Sequence, residues 1–210
     1  MKMRTYFAAC LFAVAHVLPA AATVITYDAV LNGANEASPN ASPATGVALV
    51  TIDDVANTMR VEVSFFGLTT PNTAAHIHCC TSAAGTGTAG VATSVPTFTG
   101  FPTGTTAGTY DHLFDMTLAG SYNPAFVTAN GGTLLSAELA LFTGIGAGKA
   151  YLNIHTSTYP SGEIRGFLQA CENSTTASNP CEVIPAPEPG TLALLGLGLA
   201  GLAASRRRKK

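Results

Sequence analysis

Thr58-Met59-Arg60-Val61-Glu62-Val63-Ser64-Phe65-Phe66 alternates polar and apolar side chains along its length. Successive side chains of an extended chain point to opposite faces, so Met59, Val61, Val63 and Phe65 form a core face. Thr58, Arg60, Glu62 and Ser64 form a wet one. Residues 46–52 precede this run, and Asp53-Asp54-Val55-Ala56-Asn57 connects the two, a pattern that predicts a β-hairpin. Working outward, further strands are expected at 24–31, 74–78, 113–118, 150–156 and 163–169. Thr, Gly, Ser and Ala are abundant, Trp is absent and long amphipathic helices are scarce. The fold expected is all-β, a Greek-key β-sandwich or barrel. Residues 81–109, rich in Thr and Gly, predict a long excursion with a strand near 91–95. Residues 124–130 and 134–142 each predict a helical turn or short helix.

Both ends of the chain read as targeting segments. Lys2 and Arg4 precede an almost entirely apolar run from Tyr6 to Leu18, and Ala20-Ala21-Ala22 offers a small-residue cleavage site. Residues 1–22 are therefore expected to be a secretory signal peptide. Acylation at Cys10 fits poorly, because the apolar run continues past it and Phe7 stands three residues before it. At the other end stand Pro187-Glu188-Pro189-Gly190, a small and apolar run from Thr191 to Ala204, and five consecutive cations from Arg206 to Lys210. That order makes a stop-transfer tail whose cations stay on the cytoplasmic side of the inner membrane. As a hydrophobic helix, residues 190–204 would be about 22 Å long, short of a hydrocarbon core of roughly 30 Å. Temporary insertion suits such a length. Residues 187–210 closely resemble the PEP-CTERM sorting signal of Gram-negative bacteria, which implies an exosortase-type processing enzyme acting near Pro187, Glu188 and Pro189. Residues 171–186, with few groups able to bury, are expected to be a linker between the tail and the domain at 23–170.

Export changes the charge and the cysteine chemistry. Between Thr23 and Ser205 only Arg60, Lys149 and Arg165 stand against twelve acids, a formal charge of −9. Nucleic acid is disfavoured as a partner, because phosphate binding requires clustered cations. Cys79, Cys80, Cys171 and Cys181 are an even set in an oxidising compartment, so disulfides are expected, with three possible connectivities. A bridge between neighbours Cys79 and Cys80 would strain the intervening peptide, so each is expected to pair with one of the later two. Closing a loop near 90 residues in that way would constrain the unfolded chain by roughly 4–5 kcal/mol.

Three groups of residues together resemble a CHRD domain, the module named after chordin. They are Leu31-Asn32-Gly33-Ala34-Asn35-Glu36 with Pro39 and Gly46, then Ala74-Ala75-His76-Ile77-His78, then Ala150-Tyr151-Leu152-Asn153-Ile154-His155-Thr156 through Pro160 and Gly162-Glu163-Ile164-Arg165-Gly166. The resemblance implies an all-β, sandwich-like extracellular fold. It implies little chemistry.

His76 and His78 are two apart, so on a strand both imidazoles share a face while Ile77 takes the other. In the later run Leu152 and Ile154 enter the core and leave Tyr151, Asn153 and His155 opposite. If the two strands are neighbours, His76, His78 and His155 converge as a three-nitrogen site for copper or zinc. The bland alternative is that the imidazoles bond loop carbonyls and carboxylates such as Glu163. Glu163 and Arg165 share a face and are expected to pair with each other or with a histidine. The His-x-His strand, Gly-rich loop and late histidine are also remotely similar to copper-zinc superoxide dismutase. That pattern requires a further copper histidine and a zinc cluster, and residues 81–109 contain no His, Asp or Glu. Cys79 is a further possible thiolate ligand.

Two functions fit these readings. The first is an exported cell-surface or matrix binding protein, with an exopolysaccharide or a surface protein as ligand and a metal at the three histidines. The second is a copper or zinc enzyme at the same place. No nucleophile elbow, phosphate loop or zinc-protease helix is present. An enzyme would need an open coordination position and a substrate cleft, whereas a structural site would be closed by four protein ligands.

Overall fold

The computed structural model describes residues 24–171 and residue 181. The expected signal peptide, most of the linker, the sorting motif at Pro187, Glu188 and Pro189, and the hydrophobic helix lie outside the described residues. Among the described residues, no helix is long and apolar enough to cross a membrane. The expected all-β fold takes the form of one antiparallel sheet curled into a half-barrel. Its strands are β1 (Val24–Asn32), β2 (Thr45–Asp53), β3 (Thr58–Phe66), β4 (Asn72–His78), β5 (Gly108–Asp115), β6 (Tyr151–Thr156), β7 (Ile164–Phe167) and the short β8 (Gln169–Ala170). They lie in the order β4-β6-β7-β1-β2-β3-β5, with β8 also paired to β1.

The expected hairpin forms, with Asp53 opposite Thr58 and Val50 opposite Val61. Its turn is held locally, because the Asp53 carboxylate accepts from the backbone N–H groups of Val55 and Ala56 at 3.0 and 2.8 Å. Met59, Val61, Val63 and Phe65 are all buried, as the alternation requires. The strand expected at 113–118 begins earlier. Tyr110, Phe114 and Met116 take the core positions there, while Leu113 and Leu118 are exposed. Two leucines on the wet side had made the later segment look like the buried one.

The excursion after β4 covers the β4 edge of the sheet and reaches across towards β5. Along β4, the hydroxyls of Thr97 and Thr93 accept from the N–H groups of Ala75 and Ile77 at 2.9 and 3.0 Å. The carbonyls of the same residues accept from Phe98 and Ala92 at 3.0 and 2.9 Å. Threonine hydroxyls thus take the place of a neighbouring strand, and only isolated bridges form at Val91 and Thr93. Towards β5, Tyr110 donates to the Thr99 carbonyl at 2.9 Å. Phe98 lies fully buried between the edges, with Tyr110 and Phe114 at 5.7 and 5.8 Å between ring centroids. An unpaired edge invites another chain to add to it, and this sheet covers its β4 edge with its own loop.

Helices α1 (Pro124–Ala129) and α2 (Leu134–Gly146) follow. The second is one turn longer than expected, started by a capping box in which Thr133 and Ser136 satisfy each other's backbone N–H groups. Cys79 and Cys80 form a vicinal disulfide, and Cys171 pairs with Cys181. The expected long-range pairing is therefore overturned. β6 lies between β4 and the β7–β8 segment that leads to Cys171. Two strand spacings are roughly 10 Å, beyond the Cα separation of about 7 Å that a disulfide spans. The two neighbouring sulfurs pack on α2 at Gly144, where a Cβ would run into both.

Phe98 joins the excursion to the core. Phe98→Ala is expected to lower unfolding stability by about 3–5 kcal/mol. Urea denaturation measures it, and a loss below about 1 kcal/mol would show that the excursion does not pack as described.

Candidate metal centre

β4 and β6 pair antiparallel, with His76 opposite Asn153, His78 opposite Tyr151 and Ala74 opposite His155. Ala75, Ile77, Leu152 and Ile154 fill the core on one face. The other face carries His76, His78, Tyr151, Asn153 and His155, so the three expected histidines do converge. Their ring centroids are 5.3–5.8 Å apart, and one nitrogen from each lies within 4.8 Å of the others.

The hydrogen bonds fix which nitrogens are free. His76 Nε2 lies 2.7 Å from the Pro96 carbonyl, His78 Nδ1 3.0 Å from that of Ala89, and His155 Nδ1 3.0 Å from that of Pro160. A carbonyl only accepts, so each of these nitrogens carries a proton and donates it. In the neutral ring the other nitrogen then holds a lone pair. Those atoms are His76 Nδ1, His78 Nε2 and His155 Nε2, all buried and without a hydrogen-bond partner. Burial pushes the His76 and His78 imidazoles down to about 4, with the neighbouring rings adding to it, and lowers His155 as well. All three are neutral at pH 7.

The surroundings hold the rings in place. His78 stacks on Tyr151 with centroids 4.8 Å apart, and the Arg165 guanidinium lies 4.7 Å from the Tyr151 centroid. Arg165 donates to the carbonyls of Asn35 and Gly87 and lies 3.8 Å from Glu36. Burial lifts the Glu36 carboxyl to about 7 against the pull of Arg165. Asn153, whose amide lies beside Glu36 at Gly162, is 2 % exposed, and its Oδ1 has no partner. Gly162 leaves the space for this pair, since a Cβ there would run into both the amide and Glu36.

Three expectations are corrected here. The Glu163 carboxylate bonds hydroxyls and a backbone N–H instead of a histidine. Buried, it accepts from the Ser42 hydroxyl at 2.6 Å, the Thr69 N–H at 2.7 Å and the Thr156 hydroxyl at 2.7 Å. Arg165 pairs with Glu36 instead of Glu163 and is buried. Cys79 is no thiolate ligand, being in the vicinal disulfide. A second ligand-type cluster, Asp28 with Cys171 and Cys181, has its sulfurs joined in the same way. Period two places Asn153 and Tyr151 on the histidine face and carries no sign of what they contact. The three carbonyls carry no sequence signal at all.

The depressed imidazoles make stability depend on pH in the metal-free protein. Unfolded histidine titrates near 6.5, so as pH falls through 6.5 towards 4 the unfolded chain takes up protons first. The stability these rings confer is full above about pH 6.5 and is lost on the way to 4. Glu36 acts oppositely: its raised value favours the fold at low pH, an effect lost as pH rises through about 7. Comparing wild type with a His76→Asn, His78→Asn double variant isolates the imidazoles. The wild-type midpoint in urea should fall relative to the variant's as pH drops from 6.5 to 4, and a constant offset would refute it.

The PEP-CTERM protein-sorting motif matches residues 185–209. It marks a chain exported and sorted to the cell envelope or surface of Gram-negative bacteria through the exosortase pathway, with an exosortase-type enzyme as processing partner. No curated protein and no solved structure matches the chain. The family model described as CHRD domain matches residues 27–168, from within β1 through β7 and including all three histidines, and the protein belongs to that family.

Proposed function

We propose that this is an exported surface or matrix binding protein whose domain holds one copper or zinc ion at His76, His78 and His155. The observation that supports the reading is the set of three buried lone pairs, each left free because its ring's other nitrogen is committed to a carbonyl. Metal-ligating histidines characteristically donate their second N–H in this way, which fixes tautomer and ring orientation. A purely structural cluster would use the lone pairs on donors. Here they meet no donor among the described residues.

Bonds of about 2.0–2.1 Å to each nitrogen require separations of roughly 3.3–4.2 Å. Small ring rotations bring nitrogens within 4.8 Å to that range. Imidazole nitrogen suits copper and zinc, whereas calcium and magnesium take oxygen. Asn153 Oδ1, buried beside His76 in the strand pair, offers an oxygen to the fourth position or to a water bound there. The sorting tail delivers the domain outward, and the ligand recognised at the surface is an exopolysaccharide or another surface protein. A metal enzyme would need a substrate cleft at the histidines, and nothing favours that reading over binding.

Protein purified without chelators and loaded with copper or zinc should retain about one equivalent per chain. His76→Ala and His155→Ala should each weaken binding by more than the roughly 10–100-fold that changes behind a ligand cost. Elemental analysis after dialysis is the measurement. A wild-type protein without stoichiometric metal would sink the proposal.

A further inference from the structure

α2 has two apolar stripes where a helix packed on one core needs one. Ala137, Leu141, Gly144 and Ile145 are buried. Leu135, Leu139 and Phe142 fall on another face, with Leu135 75 % and Leu139 68 % exposed. Across from them stand Ile25 and Tyr27 of β1 and Ile52 of β2. Together they line a cleft of about 360 Å³, at the small end of the range that ligand pockets occupy.

Glu138 sits in the middle of this apolar face. The positions 135, 138, 139 and 142 follow the i, i+3, i+4, i+7 spacing of one helix face. Glu138 lines the cleft and is 6 % exposed, and no hydrogen-bond donor among the described residues reaches its carboxyl. Burial, and then the charge of Asp115, push that carboxyl upward. A carboxylate that water reaches only through a narrow and mostly apolar cleft gains from a partner there. The polar groups that accompany it at the cleft, Asp54, Asn57 and Thr143, include a second acid and no cation.

We propose that the cleft binds a small organic ammonium ion with an apolar body, its charge against Glu138 and its chain between Leu135, Leu139 and Tyr27. The wall chemistry selects this class. A carboxylate or phosphate amphiphile would face Glu138 and Asp54 with like charge, and a bare metal ion needs several oxygen ligands where the cleft gives mostly carbon. A neutral chain would displace water from the Glu138 carboxyl and give it no partner in return. The cleft lies on α2, β1 and β2, away from the β4–β6 face of the histidines, so this inference stands independently of metal binding.

The test uses the full chain and residue-resolved NMR titration with hexylammonium, hexanol and hexanoate, three probes of one chain length. Hexylammonium should shift the signals of Ile25, Tyr27, Leu135 and Leu139 and bind at least tenfold more tightly than hexanol, with hexanoate weakest. Glu138→Gln should bring hexylammonium to the level of hexanol and leave hexanol unchanged. Leu135→Ser, at an exposed position that cannot disturb the core, should weaken both. Equal affinity for the amine and the alcohol, or an amine affinity untouched by Glu138→Gln, would overturn the proposal. So would cleft signals that move with protein concentration and not with amine, because a second copy would then be the occupant.

Discussion

The antiparallel register of β4 against β6 is the constraint on which the rest of the candidate site depends. With His76 opposite Asn153, every second residue of both strands enters the core, and Ala75, Ile77, Leu152 and Ile154 do so. A slip of one residue would turn both histidines of β4 inward and carry Ile77 to the polar face. Apolar burial therefore sets which face the imidazoles occupy. The same strand also positions the loop, because Ala75 and Ile77 bond residues 92, 93, 97 and 98 along the free edge. Ala89 and Pro96 are thereby brought over the rings, and their carbonyls fix two of the three tautomers. One strand thus aligns two of the three free imidazole nitrogens and the groups that orient them.

Buried polar groups elsewhere in the domain are answered more fully. Glu163, fully buried, is met by hydroxyls and an N–H from three separate segments. Asn72, also buried, accepts from the Thr105 N–H at 2.9 Å and donates to the Pro102 carbonyl at 2.8 Å, holding the return leg of the excursion. Against that background most of the partnerless buried atoms among the described residues gather in one place. Those of His76, His78, His155, Asn153 and Glu36 belong to a single neighbourhood, and every one can act as an acceptor. Leaving an acceptor unmet in the interior costs about 1–3 kcal/mol, so a cluster of them is explained best by something that accepts their lone pairs.

The alternation in 58–66 and the His-x-His spacing were legible because both are statements about period two, which the sheet enforces whatever its neighbours do. β5 was misplaced because Leu113 and Leu118 are apolar yet exposed, and hydrophobicity alone cannot tell a core side chain from a wet one. The cysteine pairing was misread for another reason. It depends on how many strands separate β4 from the chain's end, which is topology and is not written in spacing. Glu163 shares a strand face with Arg165, which suggests pairing there or with a histidine, but its partners Ser42 and Thr69 come from loops that only the folded sheet brings together. Side-chain periodicity survives in a linear reading, and long-range partners do not.

Export links the disulfides to the choice of donors at the histidine site. In an oxidising compartment thiols become disulfides, so a site that relied on cysteine would compete with pairing. All four cysteines at 79, 80, 171 and 181 are in fact joined, which leaves imidazole as the nitrogen donor that keeps its lone pair there. The two bridges span only one and ten positions of sequence. Short loops restrict the unfolded chain less than long ones, so these bridges cannot hold distant strands together. That task falls to the core around Phe98 and to the threonine hydroxyls along β4. The geometry of the histidine face is therefore maintained by packing and by backbone hydrogen bonds, and neither depends on the redox state outside the cell.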